Sequence, residues 1–210
     1  MYINEKMSKN VVSVKADSLV SRAYQLMVET KHSKLPVVDD ENKLVGIITD
    51  RLIEEVNPHR ATSLSEYEIN HLLSKIKVME IMNTGVFKIK ENSFIEDAAL
   101  IMKENKISFL PVINDENKVS GIVSRTDVFK AFIDVLGIKA TGTRISIKSD
   151  KIAEIVSLIS NENIEILSLT NVKSNDKSEL VIKVSALELE KLMEKLKSNG
   201  YEVTSVIKQH

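Results

Sequence analysis

The chain has 210 residues, 43% apolar and 28% charged, with a formal net charge of −1 and no cysteine. This is the composition of a globular protein of one large or two ordinary domains, and the missing basic excess argues against general nucleic-acid or anionic-membrane binding. The lack of cysteine excludes disulfide scaffolds, thiolate zinc sites, Fe–S clusters and cysteine nucleophiles. No apolar run approaches the ~20 residues of a bilayer span, and residues 1–6 have no signal-peptide core, so elimination predicts a cytoplasmic protein with no membrane partner.

Residues 7–53 align with residues 82–128 without a gap, so one unit occurs twice. In chain order, Val11-Val12-Ser13-Val14 predicts a short strand. Ser18 falls where an N-cap belongs, ahead of a helix striped by Leu19, Ala23, Leu26 and Met27. Residues 35–38 and 44–48 read as a hairpin closed by a polar turn, and a helix starts after Thr49. Asn57-Pro58 ends it. Ser63-Leu64-Ser65-Glu66 is a capping box for a helix carrying Leu64, Tyr67, Leu72, Leu73 and Ile76, which reads as a brace packed on the repeats. The second unit repeats the order: a strand at 86–89, a cap at Ser93, a helix striped by Ile95, Ala98, Ala99, Ile101 and Met102, a hairpin of 110–113 with 119–123, and a helix after Ser124. Met7, Met27, Met82 and Met102 fall at repeat-equivalent places and read as core filler.

The tail differs from both repeats. Residues 143–147 alternate as a strand, and 151–160 carry Ile152, Ile155, Val156 and Ile159 at helical spacing. Strands at 164–169 and 179–185 flank a polar loop at 173–178. Ser185-Ala186-Leu187-Glu188 reads as a capping box for a helix that Gly200 ends, before a last strand at 201–207. The order βαββαβ is that of the ferredoxin-like split unit. The predicted class is α/β (α+β).

Catalytic patterns are absent. The chain has no Gly-x-Ser-x-Gly, His-Glu-x-x-His, Walker A or Gly-x-Gly-x-x-Gly sequence, and its six glycines leave little for a phosphate-cradling loop. His32, His59, His71 and His210 show no metal-ligand spacing. The expectation is a protein that is not an enzyme and holds no metal.

Chemistry concentrates in Ser124-Arg125-Thr126-Asp127, where a strand gives way to a helix. Free N–H groups there favour an anion. Ser124 can donate its hydroxyl to a phosphate, and Asp127 can accept both hydroxyls of a ribose. The same Ser-x-x-Asp pattern is also an ordinary helix cap. In the first repeat, Thr49-Asp50-Arg51-Leu52 keeps the hydroxyl but has leucine at the equivalent of Asp127, and Asp50 points elsewhere around the helix. The second repeat therefore carries the better sugar-and-phosphate grip of the two.

The patterns Leu35-Pro36-Val37-Val38-Asp39 … Gly46-Ile47-Ile48-Thr49 and Leu110-Pro111-Val112-Ile113-Asn114 … Gly121-Ile122-Val123-Ser124-x-x-Asp127 resemble tandem CBS domains paired in a Bateman module, covering about residues 1–137. This divides the chain into repeat 1 (1–60), a linker brace (61–80), repeat 2 (81–137) and a tail (141–210) similar to an ACT domain. The linker residues Asn57-Pro58-His59-Arg60-Ala61-Thr62-Ser63-Leu64 and Val78-Met79-Glu80-Ile81-Met82 are similar to those of acetoin-utilisation (AcuB-like) CBS–ACT proteins.

The resemblance implies an adenosine-containing ligand (AMP, ADP, ATP or another derivative) held by Ser124, Arg125 and Asp127. Its adenine would lie between Thr84 to Val86 and the entry Ile107, Ser108, Phe109, Leu110 and Pro111, with Pro111 and Val112 as apolar wall. The weaker cleft would use Lys9, Val11, Lys34, Pro36, Thr49 and Asp50, and His32 and Arg51 add cations near it. The resemblance also implies a homodimer, its surface left open between the repeats, the tail or both, with the tail dimerising or transmitting the signal, and a metabolic enzyme partner. A ligand-free interaction scaffold and an amino-acid sensor acting through the tail are the alternatives. Against the sensor, the loop Lys148-Ser149-Asp150-Lys151-Ile152 lacks the glycine that close backbone approach to an amino acid needs.

Overall fold

The computed structural model describes residues 1–56, 73–174 and 177–209. It divides into two compact units, Met1–Val128 and Phe129–His210.

The first unit contains α1 (Ile3–Lys6), β1 (Val14–Lys15), α2 (Val20–Thr30), β2 (Lys34–Val38), β3 (Leu44–Thr49) and α3 (Asp50–Val56), then their repeat equivalents α4 (Val78–Ile81), β4 (Ile89–Lys90), α5 (Ile95–Glu104), β5 (Phe109–Ile113) and β6 (Val119–Ser124), and the first turn of α6 (Arg125–Val135), whose remainder is counted with the second. Each repeat forms a three-stranded sheet, β1-β2-β3 and β4-β5-β6. The first pairing is parallel and the second an antiparallel hairpin. β1 and β4 are only two residues long and start later than the β-branched runs predict. Each hairpin turn is an Asx turn. Asp39 Oδ1 accepts the N–H groups of Glu41 and Lys43, at 3.0 and 2.8 Å, and Asn114 Oδ1 accepts those of Glu116 and Lys118, at 3.0 and 2.9 Å.

The repeats exchange their leading segments. Ser8 pairs with Ile122 of β6, and Asn83 pairs with Ile47 of β3, each pair sharing two backbone hydrogen bonds of 2.9–3.0 Å. Ile3 N donates to Ser93 O at 2.9 Å, and Val78 N donates to Ser18 O at 2.8 Å. Ser18 and Ser93 therefore serve the exchange through their carbonyls. They are not the side-chain caps predicted: α2 and α5 begin after Leu19 and Phe94, with no side-chain cap bond. Tyr2 stacks on Phe94 at a ring separation of 5.0 Å.

Glycine admits the crossing segments. A Cβ on Gly46 would lie 2.5 Å from Met82 Sδ, and one on Gly121 would collide with Met7 in the same way. Met7 and Met82 thus lie on the exchange contacts, while Met27 and Met102 are buried core residues.

The first-repeat core joins Val14, Val20, Ala23, Met27, Leu35, Val37, Ile48 and Ile53 to Leu73 and Val78 from beyond the repeat, with Ile76 packed against them. Leu19, expected on the apolar stripe, is exposed, and Val20 takes its place. Leu64, Tyr67 and Leu72 of the predicted brace lie outside the described residues.

The second unit carries β7 (Gly142–Lys148), α7 (Ile152–Ser160), β8 (Ile166–Ser174), β9 (Lys177–Val184), α8 (Glu190–Ser198) and β10 (Glu202–Gln209). Its sheet is antiparallel in the order β10-β7-β9-β8, which is ferredoxin-like topology. β8 and β9 extend into the segment expected as a loop. The predicted Ser185 cap is also displaced. α8 starts after Leu189, and Ser185 N donates instead to Glu165 O at 3.0 Å. The helices bury Ile155, Ile159, Leu192 and Leu196 against Ile145, Ile147, Leu180 and Ile182. Lys183 of β9 is wholly buried, and its Nζ donates to Gln209 Oε1 at 2.6 Å. Desolvation first, then the charge of Arg144, holds its ammonium below the ordinary lysine range.

The exchange makes an N-terminal residue a structural part of the second repeat. Ile3→Ala is expected to cost about 2–4 kcal/mol. Hydrogen exchange should show the amides of β4 to β6 losing protection before those of β1 to β3; the reverse order would refute the exchanged packing.

Candidate functional site

The Ser124–Asp127 pair sits where β6 passes into α6. Asp127 Oδ2 accepts the Ser124 backbone N–H at 2.9 Å and the Ser124 hydroxyl at 2.6 Å, while Ser124 Oγ accepts Asp127 N–H at 3.3 Å. This is a reciprocal helix cap. The capping reading is therefore realised, but it does not exhaust the carboxylate. Among the described residues Asp127 Oδ1 has no hydrogen-bond partner, and both residues line a cleft of about 350 Å³. One oxygen shapes the helix start and the other has no protein donor among the described residues.

The remaining walls come from both repeats. The exchanged segment contributes Ser8, Asn10 and Val12, the first repeat His32, Ser33 and Lys34, and the second Ser108, Phe109 and Ile122. Hydroxyls, the Lys34 ammonium and the His32 imidazole thus sit in one cavity with apolar surface, a mixture suited to a phosphate, a sugar and a flat base.

A second cleft, of about 440 Å³, is the repeat equivalent of the first. Asn83, Gly85, Val86 and Phe87 replace the segment of Ser8 to Val12, and Thr49 and Leu52 replace Ser124 and Asp127. Thr49 Oγ1 accepts Leu52 N–H at 3.2 Å, so half of the cap persists without the carboxylate. Lys34 and Phe109 occupy equivalent positions in the two repeats and line both clefts. Lys34 Nζ lies 5.4 Å from the Phe109 ring centroid and 3.2 Å from Ser108 Oγ.

The exchange reassigns several expected positions. Val86, predicted beside Asp127, lines the Thr49 cleft instead, because the segment ahead of each repeat crosses to its partner, and Ile107, at the entry of β5, lines that cleft as well. Thr84 is exposed and lines neither cleft. Leu110, Pro111 and Val112 are buried in β5, so the aromatic wall is Phe109. Arg125 lies on the surface and donates its Nε to Ile107 O at 3.0 Å, fastening the entry of β5. Ser108, Phe109, Ser124 and Asp127 do come together.

Of the weaker set, only Lys34 and Thr49 line the Thr49 cleft. Lys9 and Val11 lie outside both, Pro36 is buried in β2, and Asp50 turns its carboxylate onto Arg51 N–H at 2.7 Å. His32, expected near the first cleft, belongs to the Asp127 cleft, as do Ser8, Asn10, Val12 and Ser33, which sequence reasoning passed over. Among the described residues no cluster of acidic and histidine side chains could hold a metal ion, and no helix is long and apolar enough to cross a membrane.

Two repeats that exchange segments and enclose two equivalent clefts form a paired module. Residues 3–55 and 78–134 match the CBS domain, and the chain belongs to that family. It is 33% identical over 127 residues to inosine-5'-monophosphate dehydrogenase of Methanocaldococcus jannaschii, an alignment covering 60% of this chain and 23% of that enzyme. The chain spans less than half the length of such curated relatives. Among solved structures, CBSX2 of Arabidopsis thaliana in complex with AMP is 30% identical with a TM-score of 0.52, covering 66% of this chain and 98% of that one. The CBS domain pair of protein MJ0100, in complex with 5'-methylthioadenosine and S-adenosyl-L-methionine, is 26% identical with a TM-score of 0.51, covering 63% and 95%.

Removing the cap acceptor should lower stability by itself. Asp127→Ala is expected to cost about 1 kcal/mol in urea unfolding. An unchanged midpoint would show that the reciprocal bonds carry no weight in solution.

Proposed function

We propose that this chain is a non-catalytic regulator that binds an adenosine-containing nucleotide in the Asp127 cleft. The observation that carries the reading is the carboxylate of Asp127, with one oxygen unpartnered, beside the Ser124 hydroxyl in a cleft of about 350 Å³. Asp127 takes the ribose hydroxyls. Ser108, His32 and Lys34 meet the phosphate, and Ser124, whose hydroxyl proton goes to Asp127 in the cap, joins them only by turning that proton to the ligand. The base lies against Phe109, Val12 and Ile122. The ligands bound by CBSX2 and by the MJ0100 pair, AMP in one and 5'-methylthioadenosine and S-adenosyl-L-methionine in the other, support the adenosine class. Which of AMP, ADP, ATP or another derivative is preferred depends on how many phosphates Lys34 and His32 can serve.

Because both repeats wall each cleft, a ligand that fits one arrangement of the repeats better shifts the population toward it. The second unit is assigned the role of an ACT-like dimerisation element. The turn at Ser149 to Lys151, between β7 and α7, contains no glycine, which favours dimerisation over amino-acid sensing. The regulated partner is a metabolic enzyme in the cytoplasm. A link to acetoin or other carbon metabolism rests on the linker resemblance alone, and positions 57–72 of that linker lie outside the described residues.

Calorimetric titration of the full chain with AMP, ADP, ATP and S-adenosylmethionine tests the reading. One site per chain is expected, and a ligand at a hundred times its Kd should add about 2.7 kcal/mol of stability in thermal unfolding. Asp127→Ala should weaken binding about tenfold or more, as loss of a charge-assisted hydrogen bond implies. Leu52→Asp should create a second site. Two equal sites in the parent chain, or full affinity in Asp127→Ala, would overturn the assignment. No response to any adenosine compound would favour the interaction scaffold.

A further inference from the structure

The Thr49 cleft has the size of a ligand site but not the chemistry of a ribose site. Leu52 stands where the other cleft has a carboxylate, and with Ile47, Val86, Phe87, Ile107 and Phe109 it makes most of the lining apolar. A ribose placed there would set two hydroxyls against Leu52 and leave them unpaired, which is unfavourable.

The charge is equally specific. Lys34 lines the cleft, its Nζ contacting the Phe109 ring, which lines both clefts, and the Ser108 hydroxyl, which lines the Asp127 cleft, and among the described residues no carboxylate pairs with it. Arg51 also lines the cleft. Its Nε sits 3.1 Å from Glu55 Oε1 in an exposed pair, which leaves its other N–H donors available. Two cations against one carboxylate leave an apolar cavity with a net positive charge.

We propose that the Thr49 cleft is a ligand site of its own, taking a small aromatic carboxylate or its sulfonate analogue whose ring lies among Leu52, Phe87 and Phe109 and whose anion meets Lys34 and Arg51. The ring suits the two phenylalanines, since aromatic pairs gain beyond simple area burial. The anion neutralises charge that the protein leaves uncompensated. The site needs no nucleotide in the Asp127 cleft, so it stands whether or not that cleft binds adenosine compounds. Lys34 belongs to both clefts, and a phosphate in one therefore competes for the cation that serves the other.

8-Anilinonaphthalene-1-sulfonate, an aromatic sulfonate, is the probe, titrated into the full chain by fluorescence and calorimetry. One probe per chain is expected. Leu52→Asp should weaken binding about tenfold, and Arg51→Gln and Lys34→Gln about fivefold each, in line with the loss of a charge-assisted contact. Asp127→Ala should stay within about twofold of the parent, because that residue lies in the other cleft. Arg51 is exposed, so Arg51→Gln retains the fold and decides the matter if Leu52→Asp unfolds. The proposal fails if Arg51→Gln binds as tightly as the parent chain. It also fails if Asp127→Ala abolishes binding, or if several probes bind per chain regardless of substitution.

Discussion

The first unit depends on two pairs of backbone hydrogen bonds, Ser8 with Ile122 and Asn83 with Ile47. Each covers the outer edge of the other repeat's hairpin, an edge that would otherwise offer unpaired N–H and C=O groups to any passing strand. Gly46 and Gly121 make the approach possible because a methyl group at either would strike the methionine lying across it. The exchange also decides what a cleft is made of. Ser124 and Asp127 meet residues from the beginning of the chain, so anything held between them touches both repeats and bears on their mutual arrangement.

Symmetry of backbone coexists with asymmetry of chemistry. The clefts follow from one duplicated sequence, yet a leucine in place of an aspartate removes the group that could grip a sugar. The exchange of Lys34 for Phe109 at the shared position leaves a single cation where strict duplication would have placed two. In the Asp127 cleft the carboxylate is held by the cap. Its Oδ2 completes the helix cap, which fixes the side chain in place before any ligand arrives, and so lowers the ordering cost of binding.

The second unit solves a different problem. Lys183 sits in a central strand with its amine out of water, which is costly unless the amine is hydrogen-bonded. Gln209 on the edge strand β10 and the Ile138 carbonyl supply the acceptors, at 2.6 and 3.4 Å, tying the last strand and the segment before β7 to the middle of the sheet.

Much of this protein is local and was therefore legible. Period-two and period-3.6 patterns, turn residues such as Asp39 and Asn114, and the duplication itself give the hairpins, the helices, the βαββαβ order of the tail and the Ser124–Asp127 pair, because each depends on neighbours within a few residues. The partners across space were not legible. Nothing in the sequence near Ser8 or Val86 says whether it pairs within its own repeat or with the other, since the two repeats present nearly identical edges. Only tertiary packing chose the crossed arrangement, moving Val86 and Ile107 away from Asp127 and bringing Asn10, Val12 and His32 to it. The caps predicted at Ser18 and Ser93 fall one residue early: α2 and α5 begin after Leu19 and Phe94, and the serine carbonyls accept N–H groups from the incoming segments.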